Sequence, residues 1–301
     1  MATTTTTMTP YSNTDALFRQ WCQHIHDTLA LGWTQTADTG QINLTTVTKP
    51  AGANTKQGYE IWEMADSLQA TAPCTIRIDY GSGAAATYLG VWLTLGTGSD
   101  GSGNITGKLF DGGAVAAATL SNNSQDTVSQ ALYGSADTNR FTFNVGGVGG
   151  VTYLVILGIE RTKDSSGADT ADGFLIAGKS AAATKPSGYT GTVTNAACWI
   201  HYCKATGSQP PMSAGWNYVL ANESPTAFGS DVGVGLVIPM ATVAQQPGTN
   251  FAVCRTGDFI LSATPAMTLY GASVTYVRLA ATVHTNAGAV DGTAVILMRY
   301  D

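Results

Sequence analysis

From Gly40 onward the chain is written in short alternating runs separated by turn-forming clusters, and this pattern restricts the fold more than any other feature. Residues 75–80 read TIRIDY, which puts Ile76, Ile78 and Tyr80 on one side of an extended strand and Arg77 and Asp79 on the other. Residues 88–95 do the same with Val91, Leu93 and Leu95 inward. The segments 41–48, 59–64, 140–145, 152–160, 173–177, 197–203, 232–239, 251–261, 273–285 and 293–300 are further strand candidates. Gly, Ser, Thr, Asn and Pro clusters at 121–124, 164–172, 181–192, 207–215 and 245–250 lie between them. Many short strands with turn chemistry between them predict a mainly β protein, an antiparallel β-sandwich of jelly-roll-like type. The run GTGSDGSGNITG reads as a hairpin or a longer loop, and residues 65–70 as a single helical turn stopped by Pro73. No repeat of fixed period is present, so neither a propeller nor a solenoid is indicated.

One helix precedes the strands. Ser12 or Asn13 is placed to cap it, Asp15 falls in its first turn, and Gly32 follows its end. Leu17, Trp21, Cys22, Ile25 and Leu29 recur at spacings of three and four and form one apolar face, with Arg19, Gln23 and Asp27 outside it. This amphipathic helix must lie on its own sheet or on a neighbouring subunit, and its stripe is the candidate assembly face. Residues 1–10 are a Thr-rich leader without helical or strand periodicity. The organisation expected is an N-terminal anchoring segment with the helix at 1–40 and a β-rich body at 41–301. A soft boundary falls within 110–138, where strand signals lapse. Removal of residues 1–32 is expected to leave a folded body.

Charge is scarce. Lys and Arg number 14 and Asp and Glu 20, for a net −6, and together they are 11% of the 301 residues, against about 25% in an ordinary domain. With 43 Thr and 35 Gly, the polar surface is built from hydroxyls and backbone. The few scattered cations make no stripe for phosphates, so nucleic acid is not an expected partner. No apolar run approaches the roughly 18 residues that cross a bilayer, so membrane insertion is not expected. The start MATTTTTMTP has neither the basic nor the apolar region of a secretory leader. The five cysteines, Cys22, Cys74, Cys198, Cys203 and Cys254, are odd in number and irregularly spaced, which reads as free thiols in a reducing cytoplasm.

The residues that carry chemistry elsewhere form no complete constellation here. His24 and His26, two apart on a helix, point about 200° from each other and cannot share a metal; they read as surface or interface histidines. His201 and Cys203 share a strand face that Cys198 does not, and no second Cys or His pair completes four ligands. Asp164, Asp169 and Asp172 form a loop cluster of the kind that holds calcium, with spacing unlike an EF-hand, and also read as a solvated hairpin tip. Asp79, Glu160 and Asp258 lie in or beside strands, where exposed faces often carry such residues. No Gly-x-Ser-x-Gly elbow and no phosphate-binding loop occur. Trp21, Trp33, Trp62, Trp92, Trp199 and Trp216 read mostly as core or interface, with loop-tip Tyr189 or Trp216 as glycan-stacking candidates. No catalytic, cofactor or metal site is expected.

Four segments taken together, DALFRQW, QTADTGQIN, GYEIWEMADSLQATAPCTIRIDYGSG and VWLTLGTGSDGSGNITG, resemble structural proteins of tailed bacteriophages and prophages over residues 11–107. The rest resembles phage virion proteins in texture, being rich in Gly, Ala and Thr and poor in charge. The resemblance implies a component of the particle, in the tail, the neck or the capsid surface, and transfers no catalytic residue. It leads to a non-enzymatic virion structural protein, tail- or fibre-associated and homo-oligomeric, assembled in the host bacterial cytoplasm beside other virion proteins. Trimers are common among such fibres and decorations, though nothing in the sequence counts subunits. A capsid decoration (cement) protein and a receptor- or host-glycan-binding protein are the alternatives.

Overall fold

The computed structural model describes residues 2–8, 14–83, 88–119, 130–145, 155–179, 198–205, 236–241, 247–256, 264, 266–281 and 293–301. Their elements, in chain order, begin with β1 (Ala2–Met8), α1 (Asp15–Ala30), β2 (Thr34–Gln35), β3 (Lys56–Glu63), β4 (Thr75–Ser82) and β5 (Tyr88–Gly96). There follow β6 (Gly98–Ser99), β7 (Ile105–Thr106), β8 (Phe110–Thr119), β9 (Gln130–Asp137), β10 (Arg140–Val145), β11 (Val155–Lys163) and β12 (Asp169–Lys179). The last are β13 (Cys198–Lys204), β14 (Leu236–Ala241), β15 (Pro247–Thr256), β16 (Ala266–Leu269), β17 (Ala272–Ala281) and β18 (Thr293–Arg299). The protein is mainly β, antiparallel throughout the described strands, and sandwich-like, with one helix among the described residues.

A six-stranded sheet of order β1-β9-β10-β11-β12-β13 is the middle layer. Helix α1 lies on one of its faces, with the five-stranded sheet β2-β3-β4-β5-β8 beyond it. Trp21 meets Tyr80 of β4 edge-on with ring centroids 5.9 Å apart, while Trp33, just past the helix, meets Phe141 of β10 at 5.2 Å. The second five-stranded sheet, β14-β15-β18-β17-β16, covers the opposite face. There Thr142 of β10 donates its hydroxyl to the Arg299 carbonyl of β18 at 3.2 Å. A Cβ on Gly158 of β11 would lie 3.0 Å from the ring of Phe251 on β15. Residues 156–162 of β11 are consequently buried without interruption, as expected of a strand covered on both sides.

Helix α1 is capped one or two residues later than the sequence caps suggest. Thr14 is the N-cap, extended at φ −117° and ψ 155°, and its hydroxyl accepts the Leu17 N–H at 3.3 Å; Ser12 and Asn13 lie outside the described residues. The helix ends at Ala30 with Leu31 as a right-handed cap, so Gly32 supplies no left-handed turn. Gly32 is needed for space instead, because a Cβ there would sit 2.5 Å from the Asp137 backbone. Gly134 of β9 is likewise filled by Thr28, whose hydroxyl would be 2.0 Å from an added Cβ. These two close approaches set the helix down on β9.

The expected strand at 41–48 is a strap of turns. Asn43 Oδ1 accepts the Thr45 N–H at 3.0 Å and the Asn43 carbonyl accepts from Val47 at 3.0 Å, which closes the backbone locally. Arg19 then holds the Val47 carbonyl at 2.9 Å, and Asp15 accepts the Lys49 N–H at 2.9 Å, which fastens the strap to the start of α1. The hairpin in GTGSDGSGNITG is present as β6 and β7, and the turn at 66–72 is present before Pro73.

The two-part organisation needs correction. Residues 2–8 are a strand paired with β9, from Ala2 opposite Ala136 to Met8 opposite Gln130. Leu17, Trp21, Cys22, Ile25 and Leu29 are 7%, 1%, 0%, 0% and 0% exposed within the chain's own core. The stripe expected to anchor a neighbour therefore joins two layers of the same molecule, and 1–40 is no separate segment. The stretch 110–138, where a boundary was expected, carries β8 and β9; the Gly- and Ala-rich β8 is held by pairing with β5 rather than by strand propensity.

Truncating Trp21 to Ala should lower the unfolding free energy by about 3–5 kcal/mol, measured by urea titration. A chain lacking residues 1–32 should lose its cooperative unfolding transition, because α1 fills the space between two sheets.

Candidate functional site

Glu60 is the focus of polar side chains between α1 and β3. It is 1% exposed, on the same side of its sheet as Trp62, and faces the helix. Its Oε1 is 2.7 Å from His26 Nδ1, and its Oε2 accepts the Tyr80 hydroxyl at 2.5 Å and the Trp62 indole N–H at 3.4 Å. Gln35 donates to Oε1 at 3.4 Å, and Gln41 caps the same region by accepting the Ile61 N–H at 2.8 Å. Buried carboxylates require this degree of pairing. His26 is the cluster's outlet, with 27% of its side chain exposed and its ring edge-on to Trp62 at 5.2 Å.

The electrostatics favour holding a proton over attacking a bond. The hydrogen bond to Glu60 raises the His26 pKa above its usual 6.5, against a smaller effect of burial. Burial pushes the Cys22 thiol far up, with Glu60 adding to it, and does the same to the Tyr80 phenol. A thiol held protonated in a dry core is a poor nucleophile. His24, two residues away, is buried rather than at the surface. It is 2% exposed, donates Nε2–H to the Asn144 carbonyl at 3.1 Å, and is lowered to about 4 by burial. The expectation of a surface or interface histidine gives way here to a core one, because α1 is covered on two flanks.

A second polar cluster locks the middle sheet to the third. Glu160 of β11, 3% exposed, accepts the Thr249 N–H at 2.8 Å, the Thr249 hydroxyl at 2.6 Å and the Asn250 N–H at 2.9 Å. Arg299 bonds the Thr249 hydroxyl at 2.8 Å and Asp301 at 2.8 Å, and Arg140 reaches the same Asp301 carboxylate at 3.2 Å. Burial lowers the Arg140 guanidinium to about 10, and Arg299 beside it acts in the same direction. On the other face of β11, Arg161 grips Asp66 with two nitrogens and donates to the Ala72 carbonyl at 2.9 Å, which pins the 66–72 turn.

Other expected residues are dispersed. Asp79 is 1% exposed and paired with Arg77 at 2.6 Å and Lys56 at 2.9 Å, so neither it nor Glu160 lies on an exposed strand face; Asp258 is outside the described residues. Asp164 closes the β11–β12 tip by accepting from Ser166 N–H at 2.8 Å and Ala168 N–H at 3.0 Å. Asp169 pairs with Lys163 at 2.6 Å, and the Asp172 carbonyl accepts from Ala205 at 2.9 Å. Among the described residues no group of three or more His, Cys, Asp or Glu is placed to hold a metal ion. Cys22, Cys74 and Cys203 are buried free thiols. Trp21, Trp33 and Trp62 are core residues, and Trp92 is half-buried. The side chains of Cys198, Trp199, His201 and Cys254, and all of Tyr189 and Trp216, lie outside what is described.

Several of the scarce charges are thus drawn inward: Glu60, Asp79, Arg140, Glu160 and Arg161 are all at most 3% exposed. Sequence reasoning missed this. The signal was present in IER inside the apolar run VILGIERT, since charges that interrupt a long buried strand must face partners. No protein-family model matches the chain, and no curated protein matches it significantly.

The two histidines of α1 should act on stability with opposite sign. His26, raised in the fold, contributes fully below pH 6.5, and the contribution fades as pH climbs through its folded pKa. His24, lowered to about 4, costs stability as pH falls from 6.5 towards 4. Urea titrations at a series of pH values should therefore show His26→Ala closing on wild type at high pH, and His24→Gln easing the acid loss. Glu160→Ala, which leaves the buried Thr249 and Asn250 donors without their acceptor, should cost about 3 kcal/mol in the same assay.

Proposed function

We propose that this chain is a non-enzymatic structural subunit of a bacteriophage particle, tail- or fibre-associated, that works as a homo-oligomer. The observation that carries the reading is the scarcity of charge together with the burial of several charged pairs. A chain with 11% charged residues already has few to offer solvent, and its buried pairs leave the outside poorer still. Surfaces depleted of charge suit permanent contact between subunits. They also keep their cohesion across a wide range of salt, since screening acts on exposed charge. The buried free thiols agree with manufacture in a reducing bacterial cytoplasm and leave those three groups sheltered afterwards. The resemblance of residues 11–107 to virion proteins supplies the particle.

Particles released by the host that encodes the chain should contain it, as shown by mass spectrometry of the purified particles. Gel densitometry should give a copy number that is a small fraction of the shell subunit's. A copy number comparable to the shell subunit's would make it a capsid decoration protein instead. Absence from the particles would overturn the reading.

A further inference from the structure

Strand β1 closes one end of the middle sheet, and its outer edge has no strand partner among the described residues. The phase of the ladder fixes which groups that edge offers. The two-residue turn Thr138–Asn139 makes Asp137 and Arg140 a hydrogen-bonded pair. Residues of β9 then alternate, so that Ala136, Gly134, Leu132 and Gln130 direct their backbone groups at β1. They face Ala2, Thr4, Thr6 and Met8. Thr3, Thr5 and Thr7 therefore turn their N–H and C=O groups outward. Independent support comes from Gln20, whose Nε2 reaches across to the Thr7 carbonyl at 2.8 Å. The open stretch is Thr3 to Thr5.

Native edges are ordinarily blunted by charge, proline or a bulge. Strand β1, ATTTTTM, has no charge and no proline, and its register with β9 runs without a shift. Its side chains are exposed at Thr3, Thr5 and Thr7 and half-buried at Thr4 and Thr6, so it brings no apolar face for a helix or a membrane. What fits such an edge is another strand, and an antiparallel copy of the same strand is self-complementary under a two-fold axis. The edge also brings two copies of a chain of net −6 together without like charges in contact.

We propose that β1 is a homotypic assembly edge, on which a second copy of this chain adds its own β1 antiparallel, Thr3 of each copy opposite Thr5 of the other. The Thr3–Thr5 pairs of this register use only open donors and acceptors, separate from the Thr7 carbonyl that Gln20 holds. The register joins two middle sheets into one continuous sheet and sets Thr4 of the two copies face to face. The proposal rests on the structural-subunit reading and names the contact that reading needs.

Sedimentation velocity on the purified full chain over a wide concentration range should show a concentration-dependent dimer. Thr5→Pro removes an outward N–H, no ladder bond and one exposed hydroxyl contact to Tyr300, so its circular dichroism should match wild type and its melting midpoint lie close to it, while dimerisation weakens by about tenfold or more. Under mild oxidation Thr4→Cys should give a disulfide-linked dimer, since directly opposed residues of this type lie about 4.5 Å apart at Cα. Thr6→Cys should not, since two copies of residue 6 would be about 14 Å apart, and wild type controls for the native thiols. A wild type that stays monomeric overturns the proposal, as does crosslinking through residue 6 in place of residue 4. A Thr5→Pro chain that associates like wild type also overturns it, while leaving the particle-subunit reading intact, because that reading is judged by presence in particles.

Discussion

A strand covered on both faces gives a charged side chain no route to water, and the middle sheet is built around that constraint. Glu160 and Arg161 are neighbours on β11 and point to opposite layers. Each must be met by a specific partner, and each partner belongs to a different part of the chain. Glu160 collects the backbone and hydroxyl of Thr249 and the backbone of Asn250 from the third sheet, while Arg161 collects Asp66 and Ala72 from the turn before β4. One dipeptide thereby sets the position of both outer layers. Apolar packing tolerates sliding better than a buried carboxylate ringed by donors does, so these contacts define which arrangement of the layers is stable.

Helix α1 obeys the same logic on a smaller scale. It is the filling between two sheets, and so its polar residues have been sorted by what lies opposite. His24 faces the Phe143 ring and the Asn144 carbonyl and is kept neutral, whereas His26 faces the Glu60 carboxylate and is favoured charged. Thr28 faces Gly134 because only a residue without Cβ admits its hydroxyl there.

Much of the fold was legible in the sequence. The alternation in TIRIDY marks β4, the residues of 140–145 are β10 without adjustment, and the face Leu17, Trp21, Cys22, Ile25 and Leu29 is the buried one. What could not be read was the partner of each face. A stripe that needs covering reads the same whether its cover is a neighbouring subunit or a sheet encoded later in the same chain. Strand β8 was hidden because FDGGAVAAAT carries little strand propensity and is fixed by its pairing with β5. Strand β1 was hidden because a homopolymeric Thr run has no alternation to detect. The Glu60 cluster was hidden for a related reason: His26, Tyr80 and Glu60 are far apart along the chain, and their meeting depends on how the helix is laid across β3 and β4.

The distance between α1 and its cover has a consequence for how the molecule is made. His24 waits for Asn144, 120 residues downstream, and a ribosome adding about 5–20 residues per second delivers that partner roughly 6–24 s later. For that interval the face of the helix that carries His24 lacks its cover, while the Trp21 face can already meet Tyr80 of β4. Translation speed therefore sets how long the His24 face of the helix stays uncovered during synthesis.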